Sequence, residues 1–354
     1  MKKIVAGLAA LAMAASVFAV DIAADMYLEG DIATWTQSTK TFSALQLKTW
    51  NADNDGNHRA ITLSASTDTV GATFGLATVD TQLAGYSLWF KPVDSLKVTF
   101  GNVGTKNIAF PNFADWNAYA AFWPYGAQVD FTKDAFALTC ILGPGADTSW
   151  FSIAKGTKFW DAINPFWFDA RYTTSAGTIQ LYAGKGLTIA NVATSYSWKP
   201  NFAVGLAWAH MPWQQNGYYA DVCLVLDNSW KVQTIGGNIG GQLYFGALKL
   251  EAFSYLTYAT EEWGPTTNWD GNAGWGAKAK GFRATPEFKV SYALDAGTVS
   301  LRGNLRDVQD KTFTIIPAWD ATFGAMTYEI AVNVDFDAGK FKSISVPFFV
   351  EMKL

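Results

Sequence analysis

The chain has 354 residues, half of them apolar and only 16% charged, with a formal net charge of −4 at pH 7. Ordinary soluble proteins carry nearer a quarter of charged residues, and an acidic balance argues against nucleic acid as a partner. The 16 Trp, 14 Tyr and 25 Phe have to be housed without a membrane helix, because no run after Phe18 approaches the ~20 consecutive apolar residues that one needs.

At the N-terminus, Lys2 and Lys3 precede an uncharged, Ala- and Leu-rich run over residues 4–18. Val17-Phe18-Ala19 then offers small residues where a signal peptidase reads, so residues 1–19 are expected to be an export signal cleaved after Ala19. The run is too short to span a bilayer comfortably, and no basic stop-transfer cluster follows it. Loss of Lys2 and Lys3 takes the formal charge from −4 to −6 and leaves residues 20–354, without a linker, a second domain or a fixed-period repeat.

From there the chain alternates. Residues 21–34 set Ile22, Ala24, Met26, Leu28 and Ile32 against Asp25, Tyr27, Glu29 and Asp31. Ile61, Leu63 and Ala65 oppose Thr62, Ser64 and Ser66; Tyr86, Leu88 and Phe90 run into a turn at Pro92–Ser95, and Leu96, Val98 and Phe100 run out of it. A period of two with one apolar face is a strand, and Pro and Asp between two such runs make a hairpin. Further turns are expected at Lys133-Asp134, Ser175-Ala176-Gly177, Pro200-Asn201, Asp227-Asn228, Asp295-Ala296-Gly297 and Asp337-Ala338-Gly339-Lys340. The count is 16–20 strands of about nine to twelve residues, the length that crosses a bilayer when tilted.

The polar face is unlike that of a soluble β-sandwich or β-helix, which would carry solubilising Lys and Glu. It is mostly Thr, Ser, Gly, Ala and Asn, with charges of mixed sign: Asp169 with Arg171, Lys249 with Glu251, Arg302 with Arg306, and Glu329 with Asp335. Such a face suits a water-filled lumen, and those charges are the expected pore lining. Arg171, Arg302 and Arg306 would oppose Asp169, Glu251 and Glu329 across or along it. Tyr196, Trp198, Trp208, Trp213, Tyr218, Trp230, Tyr255 and Tyr258 cluster near strand ends, as interfacial girdles do. Cys140 and Cys223 fall on opposite faces of distant strands, so no disulfide is expected.

The last segment, residues 341–354, puts Ile344, Val346, Phe348, Val350, Met352 and Leu354 on one face, with Pro347 and Phe349 as exceptions on the other. An export signal, a hairpin ladder and an apolar-ending terminal strand together resemble the bacterial outer-membrane β-barrels of the porin type, over essentially the whole mature chain. Those barrels most often end in an aromatic residue, whereas this chain ends in Leu354. The resemblance implies an all-β fold, a single antiparallel transmembrane β-barrel in the outer membrane, acting as a channel for passive diffusion of small hydrophilic solutes. It implies no cofactor. Its implied partners are outer-membrane lipid, the barrel-assembly machinery, small solutes and, as a homo-oligomer, further copies of the chain. The competing classes are a surface binding or adhesin barrel and a transporter of hydrophobic molecules.

Three long connections are rich in aromatics. Residues 104–128 include Phe113, Trp116, Tyr119 and Trp123, the candidate constriction loop, where Asn112 or Asp115 would cap a short helix running through Ala121. Asn51 to Asn57 has the oxygen spacing of a calcium loop, with Asp53 and Asp55 as weak candidates, but position twelve is Thr62 and a polar hairpin loop is favoured. With only His58 and His210, and no nucleophile elbow, metal pair or phosphate loop, no enzyme is expected. With an even count, the short turns would place both chain ends on the long-loop side, opposite to the usual arrangement, unless one strand near each end is miscounted or the last hairpin has an unusually short outer loop.

Overall fold

The structure is a computed structural model that describes residues 21–47, 61–76, 83–103, 120–121, 125–143, 166–185, 188–189, 202–212, 214–226, 229–260, 280–307 and 311–353. The export signal expected at residues 1–19 lies outside them. Among the described residues the chain forms 22 strands and no helix. The first are β1 (Asp21–Thr36), β2 (Thr41–Leu47), β3 (Ile61–Ser66), β4 (Val70–Leu76), β5 (Leu83–Val93) and β6 (Leu96–Asn102). A short β7 (Ala120–Ala121) stands before β8 (Tyr125–Lys133), β9 (Phe136–Leu142), β10 (Phe166–Thr174) and β11 (Gly177–Lys185). Another short strand, β12 (Thr188–Ile189), precedes β13 (Phe202–His210), β14 (Gly217–Leu226), β15 (Val232–Phe245) and β16 (Leu248–Ala259). Then come β17 (Gly281–Leu294), β18 (Gly297–Asp307), β19 (Thr312–Phe323), β20 (Met326–Ala331), β21 (Asn333–Asp337) and β22 (Lys340–Lys353).

Twenty of these strands make one antiparallel sheet, and β1 pairs with β22 from Asp25↔Lys353 to Thr36↔Ser343, so the sheet closes on itself. Two of its staves are interrupted. β2 and β3 follow one another along the same flank of β1, and β20 and β21 along the same flank of β19. Counting each such pair once, the twenty strands make eighteen staves, within the expected range. Closure removes both sheet edges, so every stave finds a ladder partner on either side.

The burial pattern is inverted relative to a soluble protein. Leu206, Val222, Leu224 and Ile239 are exposed, whereas Gln128, Thr139, Asp169, Asn238 and Glu287 are buried. On β14 the exposed Tyr218, Ala220, Val222 and Leu224 alternate with the buried or half-buried Tyr219, Asp221, Cys223 and Val225. In a closed barrel the buried set faces inward, so apolar side chains cover the outside and polar ones the inside. Aromatic side chains flank the apolar zone at both ends. Trp208 and Tyr218 meet edge-on at 5.0 Å near one rim, as do Trp319 and Tyr328 at 5.2 Å. Phe202 lies between Phe166 and Trp230 near the other rim, where Phe313 also stacks on Phe336.

The position of the chain ends decides between the two alternatives left by the sequence: the last hairpin has a short turn at the long-loop rim. Following the strands in turn, β1 starts and β22 finishes at the rim that carries the short turns after β3, β5, β8, β10, β15, β17 and β19. The turn at Ala338-Gly339 was counted with that set, but it lies at the opposite, long-loop rim. Both residues have positive φ, 50° and 73°, the backbone of a two-residue hairpin turn. Turn length alone carries no information about which rim a turn occupies. Pro347, an exception on the inner face, pairs with Asp31 where the register of β1 shifts before Ala33. A bulge is where a residue without an N–H disturbs a ladder least.

Candidate functional site: the inner wall

A polar chain runs along the inner wall from β8 to β10. Arg171 Nε stands 2.9 Å from Asp169 Oδ1, and the Trp167 indole N–H donates to Asp169 Oδ2 at 2.8 Å. A guanidinium N–H of Arg171 also donates to the Thr139 hydroxyl at 3.0 Å, which in turn donates to Asp130 Oδ1 at 2.9 Å. The Gln128 amide donates to the same carboxylate, at 2.8 Å to Oδ2. Asp169 is fully buried, and a buried carboxylate is tolerated only with such partners.

A second group spans β16 to β18. Lys249 Nζ lies 2.6 Å from Glu251 Oε1 and 5.3 Å from the Tyr244 ring centre. Arg302 is in register with Lys289, a like charge, and turns to the diagonal Glu287, donating to its Oε2 at 2.8 Å. On β19 to β22, Thr314 and Ser343 donate to Asp335 at 2.7 and 2.9 Å. Asp320 and Glu329 stand directly opposite one another in register.

Aromatic residues also occupy the inner face. Trp167 and Tyr182 stack at 5.0 Å, and Tyr182 lies over Gly205, where a Cβ would overlap the phenol ring. Only glycine admits that approach without displacing the ring. Trp89, on β5, carries Lys97 over its ring at 4.6 Å. Apart from the barrel sheet, β7 pairs with β12 through Ala121↔Thr188 and Ala120↔Ile189. That ladder links the connection after β6 to the one after β11.

Of the residues the sequence singled out, Asp169 and Arg171 come together, as do Lys249 and Glu251. Arg302 binds Glu287, which the sequence reading passed over, and Glu329 faces Asp320 instead of a base. Arg306 belongs to β18. The signal for Glu287 and Lys289 was present in the alternation of Thr285, Glu287, Lys289 and Ser291 with Pro286, Phe288, Val290 and Tyr292. Phe113, Trp116, Tyr119, Trp123, Asp53, Asp55 and His58 lie outside the described residues. The helix expected to run through Ala121 does not include its last two residues, which are strand and pair with Thr188 and Ile189. His210 joins the outer aromatic group, 5.7 Å from the Tyr218 ring. Cys140 is exposed, Cys223 is buried and both are free, as their opposite faces require.

An eighteen-stave closed barrel with a polar, charge-paired inner wall and an apolar exterior is the porin-type β-barrel fold. Solved structures from Pseudomonas aeruginosa share it. OpdL matches at 12% identity over 95% of this chain and 98% of its own, with a TM-score of 0.57. OpdO matches at 12% identity over 95% and 96%, with a TM-score of 0.55. The outer membrane protein OpdK matches at 11% identity over 94% and 99%, with a TM-score of 0.52. No family model and no curated protein matches the sequence.

Proposed function

We propose that the protein is an outer-membrane channel through which small hydrophilic solutes diffuse passively. The observation that carries this reading is the inverted burial around a closed barrel. An exterior of exposed Leu, Val, Ile and Phe is stable against lipid, and an interior of paired charges and hydroxyls is stable against water. Two aromatic groups flank the apolar zone as membrane interfaces require. The expected export signal at residues 1–19 and the likeness in fold to OpdK point to the same compartment.

The lumen is narrowed by aromatic residues of the connection after β6, with Phe113, Trp116, Tyr119 and Trp123 as the constriction. Two facts support this. The β7–β12 ladder ties that connection to the one after β11, across the rim above β8, β9, β10 and β11. The inner side chains on the same arc, such as Ile141, Trp167 and Tyr182, are fully buried although they point into the barrel. Asp169, Arg171, Lys249, Glu251, Arg302, Arg306 and Glu329 belong to the inner wall, where Asp169 and Glu251 fix the bases beside them and the exposed Glu329 meets solutes directly.

Purified protein in a planar lipid bilayer tests the function. Conductance steps of stable size are expected, and folded protein that inserts without conducting would sink the reading. A closed adhesin barrel gives that second outcome.

A further inference from the structure

Burial is uneven around the inner wall. Among the described residues, the ten largest fully buried side chains, Trp167, Tyr182, Tyr219 and Asn238 among them, all belong to β9, β10, β11, β14 and β15. Every one falls on the inner register. Curvature alone crowds an inner face equally all the way round, so it cannot single out one arc. On the remaining arc, from β18 through β22 and β1 to β5, most of the described inner side chains keep contact with solvent. Thr73, Ser87 and Trp89 are half-buried there, as are Ala318 and Asp320, and Glu329 is exposed.

Charge divides along the same line. On the β9–β17 side, Arg171 and Lys249 each sit against a carboxylate of the wall, and at the boundary Arg302 of β18 sits against Glu287 of β17. On the solvent-reached arc, Asp320 faces Glu329, and the other in-register neighbours of this pair are Thr298 and Phe349. The diagonal neighbour of Glu329 on β22 is another acid, Glu351. Like charges directly opposed across a ladder are destabilising. They are tolerated where water or a passing counter-ion screens them.

From these two asymmetries we infer that the water path is eccentric, running against the β18–β22 and β1–β5 wall, and that Asp320 and Glu329 at its short-turn end make it prefer cationic solutes. The inference rests on the channel reading and adds its route and its charge class. The pair lies three to four residues above the turn between β19 and β20, so a solute meets it at that mouth.

Single-channel recording with a cationic, membrane-impermeant thiol reagent tests the route. In a Cys140→Ser background, Ala318→Cys and Thr73→Cys are expected to react and alter conductance, whereas Ala207→Cys and the native Cys223 are not. Equal reaction of Ala207→Cys would overturn the eccentric path. In a KCl gradient, Asp320→Asn with Glu329→Gln is expected to lower the cation-to-anion permeability ratio about twofold or more at 0.1 M salt and less at 1 M, because salt shortens the reach of the charges. An unchanged reversal potential in conducting channels removes the pair from the filter, and each single variant reads the same quantity if the double variant does not assemble. Absence of conductance in the unaltered protein counts against the channel itself, not against its route.

Discussion

Asp169 and Arg171, two residues apart on β10, are held side by side on the inner wall with 2.9 Å between carboxylate and guanidinium. The period of the strand puts both on one face, and the Trp167 indole fixes the other carboxylate oxygen. Asp169→Asn removes the charge that neutralises Arg171 while keeping the shape. We expect a loss of about 1–3 kcal/mol, since one partner of a buried pair is left uncompensated while Arg171 keeps some solvent. Urea unfolding in detergent micelles measures it, and Asp169→Asn with Arg171→Gln together should recover part of the loss.

Val222 lies midway along β14 on the outer face, exposed beside Leu224. Arg at this position is expected to cost about 2–4 kcal/mol, the price of a cation near the bilayer midplane. Ser300→Arg, on the inner face of β18, should cost far less. Folding into lipid vesicles, followed by the mobility of unheated protein on gels, compares the two. Equal losses would mean that the exterior does not face lipid.

Gly205 sits beneath the Tyr182 ring. Gly205→Val is expected to destabilise the barrel by about 1–3 kcal/mol through overpacking. In the Tyr182→Ala background the same change should cost less, because the ring it would meet is gone. A double-mutant cycle on unfolding midpoints reads this coupling. Strictly additive effects would show that the contact is not the cause.

Replacing Arg302 and Arg306 with Glu is expected to shift ion selectivity toward cations. Loss of Arg302 alone, as Arg302→Gln, frees the Glu287 carboxylate now bound at 2.8 Å and should shift it in the same direction. The reversal potential in a salt gradient decides, and no change in either variant would mean that these residues stand away from the ion path.

The barrel was legible in the sequence because strand period is a local property: Leu206, Trp208, Val222 and Leu224 declare the outer face without knowledge of any partner. The inner charges were legible for the same reason. Their pairing was less so, since it depends on which residues meet across strands. The two-residue turn at Asp295-Ala296 sets Lys289 against Arg302, a like-charge pair, and Arg302 meets the diagonal Glu287. The rim on which the chain ends lie was left open, because the Ala338-Gly339 turn resembles those at the other rim. The arc on which burial concentrates was not read from the sequence, since alternation marks which face a side chain takes and not what covers that face.

The pairing of β1 with β22 has a consequence in time as well as in shape. The hairpins at the short-turn rim bring together residues a few positions apart, whereas the Asp25↔Lys353 pair joins opposite ends of the sequence. The entropy of closing a loop of that size exceeds that of a short hairpin by about 4 kcal/mol on a logarithmic scale. Formation of this ladder is therefore the expected slow step of folding, with the chain exposed as an open curved sheet until it completes. Moving the chain opening to the short turn between β17 and β18, while joining the present ends through a short linker, would convert the β1–β22 ladder into a local hairpin and transfer the slow closure to β17 and β18.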